Sequence, residues 1–241
     1  MIWCRFEVEG ETNYGIVEGN RVIQVSGSPF GEYAVTNSSH ALEQVKLLAP
    51  IKPAMLYAAG PNYRGHVEGM TARRGSPPSY PDWLSPNYRS VHAVIGTEEN
   101  IVVPKESAGA VQPEGQLAVV IGKKAKNVPV DEALDCVFGY TIGNDISERP
   151  WQQADRTMFR GKNCDTWKPR DRGSLLICPP PDSVSSCGTT EWSGRIFLPP
   201  TRFGTRLPGS TSSASMPLCI LAMCCGWEPR EPTATWYPAT S

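Results

Sequence analysis

Pro113-Glu114-Gly115-Gln116-Leu117-Ala118-Val119-Val120-Ile121 carries two oxygen-bearing side chains directly into an apolar run. Leu117 to Ile121 reads as a strand from its aliphatic, β-branched content. Residues two apart on a strand share a face, so Glu114 and Gln116 present oxygens to one point. Val137 to Ile146 reads as the next strand, and Asn144-Asp145 near its end brings a carboxylate towards that same point. Hard oxygen ligands with open positions suit Mg²⁺ or Mn²⁺. Taken singly, Glu114 and Asp145 are also ordinary solvated strand-end charges.

Working outward, Ala54 to Ala59 is an apolar strand after Pro53, closed by Gly60-Pro61. Tyr63 to Arg74 then reads as a helix that opens on Asn62-Tyr63-Arg64-Gly65-His66-Val67-Glu68. A histidine with a carboxylate nearby is a candidate general base for water. The plain alternative is a surface histidine at a helix start. Gly75 to Pro86 is a Pro/Ser-rich loop, and His92 to Pro104 has the form of a hairpin around Gly96-Thr97-Glu98-Glu99-Asn100. Upstream, Ile2, Cys4, Phe6 and Val8 alternate as in a strand, turns fall at Gly10 and Gly19, and Val22-Ile23 resumes the pattern. Asn37-Ser38-Ser39 can cap a short helix with Leu42, Val45 and Leu48 on its apolar face, and Asp131 starts another short helix.

The chain has 241 residues with 40% hydrophobic and 20% charged, and a net charge of −1 that favours neither nucleic acid nor an anionic membrane. No apolar run is long enough for a signal peptide or a membrane span, so a soluble, cytoplasmic protein is expected, with a mitochondrial location left open. Without a secretory signal, the 8 cysteines are expected as free thiols. Pro 23 and Gly 22 point to turn-rich β structure or to badly ordered segments.

Several segments together resemble the fumarylacetoacetate hydrolase family. They are Ala58-Ala59-Gly60-Pro61-Asn62-Tyr63 with His66; Val94-Ile95-Gly96 with Ile101-Val102-Val103-Pro104; and Glu114 through Gly122-Lys123-Lys124-Ala125. Gly139 to Arg149 and Gly161-Lys162-Asn163-Cys164-Asp165-Thr166 complete the set. The resemblance runs from about Met1 to Pro169 with order and spacing kept. It implies an α+β, β-rich fold of the family's mixed β-roll or barrel-like type, incomplete at its C-terminal end. The expected division is a small N-terminal β/α unit (1–50), the first part of the catalytic domain (51–169) and a tail (170–241). It also implies a divalent cation, Mg²⁺ or Mn²⁺ with Ca²⁺ as a further candidate, chelating a 2-oxo or 1,3-diketo acid and polarising its carbonyl. Glu114, Gln116 and Asp145 would be the ligands, His66 with Glu68 the base pair for water, and Lys162 the group that stabilises developing enolate charge. Members cleave C–C bonds hydrolytically or decarboxylate oxaloacetate-like acids, commonly as homodimers. Two positions depart from the family pattern. Gln116 stands where the family has glutamate, which removes a negative charge and weakens metal binding. The histidine's partner carboxylate falls three residues on in the family; here that position is Gly69, and Glu68 comes one residue earlier.

After Pro169 the texture changes. Lysine and histidine are absent from Arg170 to Ser241, and Pro179-Pro180-Pro181 and Ser210 to Ser215 have no useful periodicity, so the tail reads as loop or disorder. The family's usual continuation reappears when the underlying codons are read from their third nucleotide. Met223-Cys224 then forces Val, Cys224-Cys225 forces Leu, and Trp227-Glu228 forces Gly. With synonymous codons chosen freely elsewhere, Leu218 to Arg230 becomes LYPGDVLWMGTEG, and the stretch around Asp171 to Leu176 becomes GPWIVTDL-like. A nucleotide lost from a Met codon at position 170, or a displaced splice boundary, gives the same text. The chain as written is therefore expected to fold poorly and to turn over little. Two further readings stand beside the enzyme. One is a non-catalytic remnant that at most binds or dimerises. The other is a zinc module from the late cysteines, against which the lack of any Cys-x-x-Cys pair counts.

Overall fold

The computed structural model describes residues 1–59, 64–79, 86–126, 128–170, 175–176 and 219–224, with the backbone alone for 64–66, 130–131, 175–176 and 219–224. The chain opens with four strands, β1 (Ile2–Val8), β2 (Glu11–Glu18), β3 (Arg21–Gly27) and β4 (Tyr33–Ala41), each antiparallel to the one before. The alternation from Ile2 to Val8 does what the sequence suggests: Cys4 and Phe6 are fully buried against Val22. Gly10 and Gly19 sit in the connecting turns with φ of 83° and 61°, a conformation glycine adopts without steric cost.

The helix expected from the Asn37-Ser38-Ser39 cap does not form. Residues 33–41 extend β3 instead, and Ser39 receives Arg21 Nε on its hydroxyl at 2.8 Å and Arg21 Nη2 on its carbonyl. Only a 3₁₀ turn, Leu42–Gln44, remains, without a side-chain cap, before β5 (Lys46–Leu47) pairs with β1. Strand pairing supplies more hydrogen bonds than one short capped turn, so tertiary context overrides the local signal.

β6 (Met55–Ala59) and α1 (Arg64–Arg73) follow the sequence reading closely. The hairpin expected from His92 to Pro104 is absent. After β7 (Pro86–Arg89), β8 (Val94–Ile95) pairs in parallel with β13 (Lys168–Pro169), more than seventy residues on. The second apolar run is tied to the same distant segment: Val102 N–H donates to Thr166 Oγ1 at 2.8 Å, and Trp167 Nε1 donates to the Val102 carbonyl at 2.9 Å. Between the two runs, Gly96 N–H is taken by the Glu99 carboxylate rather than by a hairpin partner.

β9 (Val111–Gln112) and β10 (Gly115–Ile121) lead through a 3₁₀ segment, Val130–Cys136, into β11 (Val137–Asn144) and β12 (Ser147–Glu148). Two short helices, α2 (Arg149–Ala154) and α3 (Phe159–Lys162), precede β13. β14 (Leu175–Leu176) and β15 (Cys219–Cys224) come from the segment expected to be loop, and they correct that expectation for these eight residues. The rest of the tail, including the poly-proline and serine runs, lies outside the described residues.

Among the described residues the main sheet has eleven strands in the order β4-β3-β2-β1-β14-β11-β10-β15-β6-β7, with β5 on β1. β15 lies parallel to β10 and antiparallel to β6, so a tail strand lies inside the sheet between them. The core joins the N-terminal strands to the later part of the sheet: Trp3, Ile16 and Val25 pack with Ile51, Leu56, Ala58, Ala118 and Val120. This is the β-rich, helix-poor architecture the resemblance implied. No helix among the described residues is long and apolar enough to cross a membrane.

Candidate active site

β10 and β11 run antiparallel with Gln116 opposite Gly143 and Gly115 opposite Asn144. That register brings Glu114, just before β10, beside Asp145, just after β11. Two backbone-directed bonds hold the junction: Asp145 N–H donates to the Glu114 carbonyl at 2.9 Å, and Glu114 N–H donates to Asn144 Oδ1 at 2.8 Å. The point predicted for Glu114, Gln116 and Asp145 is therefore formed.

Asp145 is 1% exposed and is surrounded by cations. Arg89 grips it through Nε, 3.0 Å from Oδ1, and Nη2, 3.0 Å from Oδ2. Lys168 Nζ lies 2.8 Å from Oδ1 and Lys162 Nζ 3.0 Å from Oδ2. Burial by itself raises the Asp145 pKa, but Lys168, Lys162 and Arg89 more than reverse that and hold the carboxyl well below its ordinary range. Lys168 is fully buried, and desolvation lowers its ammonium to about 8 against the opposing pull of Asp145.

Glu114 is held from three sides. Lys162 Nζ donates to Oε2 at 2.8 Å, Arg149 Nη1 reaches Oε1 at 2.6 Å, and the Ser147 hydroxyl donates to Oε1 at 3.0 Å. Burial raises the Glu114 pKa, yet Lys162 and Arg149 leave it lowered overall. Gln116 is 1% exposed and donates Nε2 to Glu114 Oε2 at 3.3 Å. Its Oε1 is buried with no hydrogen-bond partner among the described residues. An orphaned amide oxygen costs about 1–3 kcal/mol unless something outside the described residues meets it.

That orphan tests the implied metal. Glu114, Gln116 and Asp145 offer three oxygens on one face of β10 and β11, which is the donor chemistry a hard divalent cation takes. The set fits, with one fewer negative charge than three carboxylates would supply. Among the described residues no group of three His, Cys, Asp or Glu side chains is placed to hold a metal ion; the third side chain here is an amide.

Lys162 lies against both acids. It is placed by α3, whose N-cap Met158 has φ of 56°, and the turn before β13 carries Thr166 at φ of 69°. Left-handed conformations at non-glycine residues cost about 1 kcal/mol or more, and here they flank the segment that aims Lys162 and Lys168. His66 and Glu68 both fall in α1. The His66 side chain lies outside the described residues, and Glu68 is exposed. The site residues the sequence reading missed are Arg89, Ser147, Arg149 and Lys168. Lys168 belongs to a Lys-Pro pair adjoining the Gly161 to Thr166 motif, which was a usable signal; Arg89 sits in an unremarkable strand and carried none.

Comparison with known proteins gives the same picture. Residues 55–172 match the model for the C-terminal domain of fumarylacetoacetate (FAA) hydrolase, and residues 1–50 match an Rv2993c-like N-terminal model. Protein Rv2993c of Mycobacterium tuberculosis is 41% identical over 147 residues, 61% of this chain and 52% of that protein. The oxaloacetate tautomerase YisK of Bacillus subtilis is 38% identical over 140 residues, 57% of this chain and 44% of the relative. The solved structure of a 5-carboxymethyl-2-hydroxymuconate delta-isomerase from Mycobacterium smegmatis superposes with a TM-score of 0.64 at 31% identity, covering 73% of this chain and 67% of that one. The chain spans about half the length of the curated relatives it matches. By sequence, fold and the residues gathered between β10 and β11, it belongs to the fumarylacetoacetate hydrolase family, whose relatives are enzymes of small organic acids.

Proposed function

We propose that the described site serves a divalent-metal-dependent enzyme acting on a 2-oxo or 1,3-diketo acid, by hydrolytic C–C cleavage, decarboxylation or tautomerisation. The single observation that carries this reading is the buried, unpartnered Gln116 Oε1 beside Glu114 and Asp145. Glu114, Gln116 and Asp145 would hold Mg²⁺ or Mn²⁺, and the cation would supply Lewis-acid polarisation of the substrate carbonyl. Lys162 holds its ammonium against both carboxylates, where its charge opposes the negative charge that develops on an enolising substrate oxygen. Arg89 and Lys168 keep Asp145 ionised, and a bound cation would share its oxygens with them. Arg149, a third exposed, stands at the rim and orients Glu114. His66 is the candidate base for water, by family resemblance. All three reactions share proton or bond transfer beside a polarised carbonyl, which is why one site supports them on one fold.

The test uses the 241-residue chain with Mn²⁺ followed by electron paramagnetic resonance, and oxaloacetate and an acylpyruvate as substrates. Mn²⁺ binding that is lost in Glu114→Gln, with turnover abolished by EDTA, supports the reading; no Mn²⁺ binding by the folded chain sinks it. Gln116 specifically favours a second reading, a remnant that keeps the fold but binds metal too weakly to turn over. Mn²⁺ binding restored only in Gln116→Glu would distinguish it.

A further inference from the structure

α3 (Phe159–Lys162) is a single turn of helix, too short to hold its shape by internal hydrogen bonds. It nonetheless carries Lys162, which is 4% exposed and whose ammonium reaches Glu114 at 2.8 Å and Asp145 at 3.0 Å. A lysine has a flexible four-carbon stem, so its place between two carboxylates depends on where the backbone starts it. Among the described residues, Lys162 Nζ meets those two carboxylates and no backbone carbonyl. The turn that carries it must therefore be fixed from outside.

Two contacts fix its C-terminal end. Gly161 lies against α2 so closely that a Cβ there would stand 2.6 Å from the Gln152 backbone nitrogen. The second contact is made by Asn163, the residue after Lys162, at the C-cap of α3. Asn163 Nδ2 donates to the Phe159 carbonyl at 2.8 Å, one turn back, and meets an oxygen the helix leaves open. Asn163 Oδ1 accepts from the Ser90 backbone N–H at 2.6 Å, across 73 positions of sequence. Only one orientation of the amide satisfies both bonds, since the flipped form sets N–H against N–H.

Ser90 follows Arg89, which grips Asp145 from the end of β7. The Asn163 amide thus joins two backbone segments, each one residue beyond a cation that bears on Asp145. Lys168 is supported differently. It is fully buried, and besides Asp145 its ammonium donates to the Trp167 carbonyl at 3.0 Å and the Ile146 carbonyl at 3.4 Å.

We propose that Asn163 is a positioning residue that holds Lys162 between Glu114 and Asp145 by tying α3 to the backbone beside Arg89. It acts through Lys162 and touches no reacting atom. This rests on the reading of Lys162 as the charge that opposes a developing enolate, yet the placement of the lysine is measurable without turnover or metal.

The test is acetylation of lysines in the full chain, in EDTA, followed residue by residue by mass spectrometry in the wild type and Asn163→Ala. Exposed Lys123 reports the unhindered rate, and fully buried Lys168 reports whether the fold of the site persists. In the wild type, Lys162 and Lys168 should both label far more slowly than Lys123. In Asn163→Ala, Lys162 should label roughly tenfold faster or more while Lys168 stays protected, the local opening that lost hydrogen bonds permit. Three results overturn the proposal. One is a wild type in which Lys162 labels as fast as Lys123. Another is an Asn163→Ala chain in which Lys162 stays protected. The third is exposure of Lys162 and Lys168 together, which would make Asn163 a support of the whole site. Turnover of Lys162→Met tests the chemical reading separately, because a fully active variant would remove Lys162 from the reaction and leave the labelling result standing.

Discussion

Lys162 Nζ bridges the two acidic strands of the site, 2.8 Å from Glu114 Oε2, and in doing so ties α3 to the start of β10. The same ammonium reaches Asp145, so one lysine, 4% exposed, links the ends of β10 and β11. Replacing Lys162 by Met removes a cation that both carboxylates share. We expect Lys162→Met to lose turnover at least a hundredfold while Mn²⁺ binding persists, since its charge acts on the substrate. Steady-state kinetics beside Mn²⁺ titration read the two effects separately; loss of Mn²⁺ binding together with turnover would assign Lys162 a purely structural role.

Asp145→Asn should be the most destabilising change at the site. It removes the charge that Arg89, Lys162 and Lys168 share, leaving buried cations uncompensated at a cost of about 3–5 kcal/mol. Urea unfolding followed by tryptophan fluorescence measures it, and a loss below about 1 kcal/mol would mean the cluster is hydrated.

Gln116→Glu adds the missing negative charge where the amide oxygen is orphaned. Mn²⁺ affinity should rise roughly tenfold or more, as ligand charge tunes divalent sites. Mn²⁺ titrations of both chains decide it. Equal affinities would show that Gln116 is not a ligand.

The pH dependence follows from Asp145. Its folded pKa is depressed below the unfolded value of about 3.9, so its contribution is fully present above that pH and is lost as pH falls through the folded value. Acid should therefore weaken the chain progressively below about pH 4. Asp145→Asn should flatten that part of the profile. An unchanged acid limb in the variant would place the titrating group elsewhere.

Arg89→Lys keeps the charge but gives up the two-bond grip on Asp145. A lysine offers a point charge rather than a fork, and the expected cost is about 1–2 kcal/mol. Chemical denaturation measures it directly.

The strands around the site were legible in the sequence because their local and tertiary preferences agree. β1, β6, β10 and β11 have aliphatic alternation or apolar runs bounded by glycine or proline, and each pairs in the sheet as its pattern suggests. Glu114, Gln116 and Asp145 follow from that, since a two-residue period on β10 and an acid after β11 are matters of backbone geometry. Residues 33–41 and 92–104 misled for the opposite reason. Ser39 and Val102 take their partners from Arg21 and from Thr166 and Trp167, and such long-range contacts leave no local trace.

By itself, then, the sequence determined the family, the β-rich class, and the three oxygen-bearing side chains Glu114, Gln116 and Asp145 at the ends of neighbouring strands. Only the tertiary structure decided that Arg89 and Lys168 close around Asp145, that Cys219–Cys224 runs between β10 and β6, and that Arg170 stands buried opposite Gly143. The physical reason is range. Strand period and side-chain chemistry act over a few residues, whereas the charge balance of a buried site depends on which distant segments the sheet brings into register.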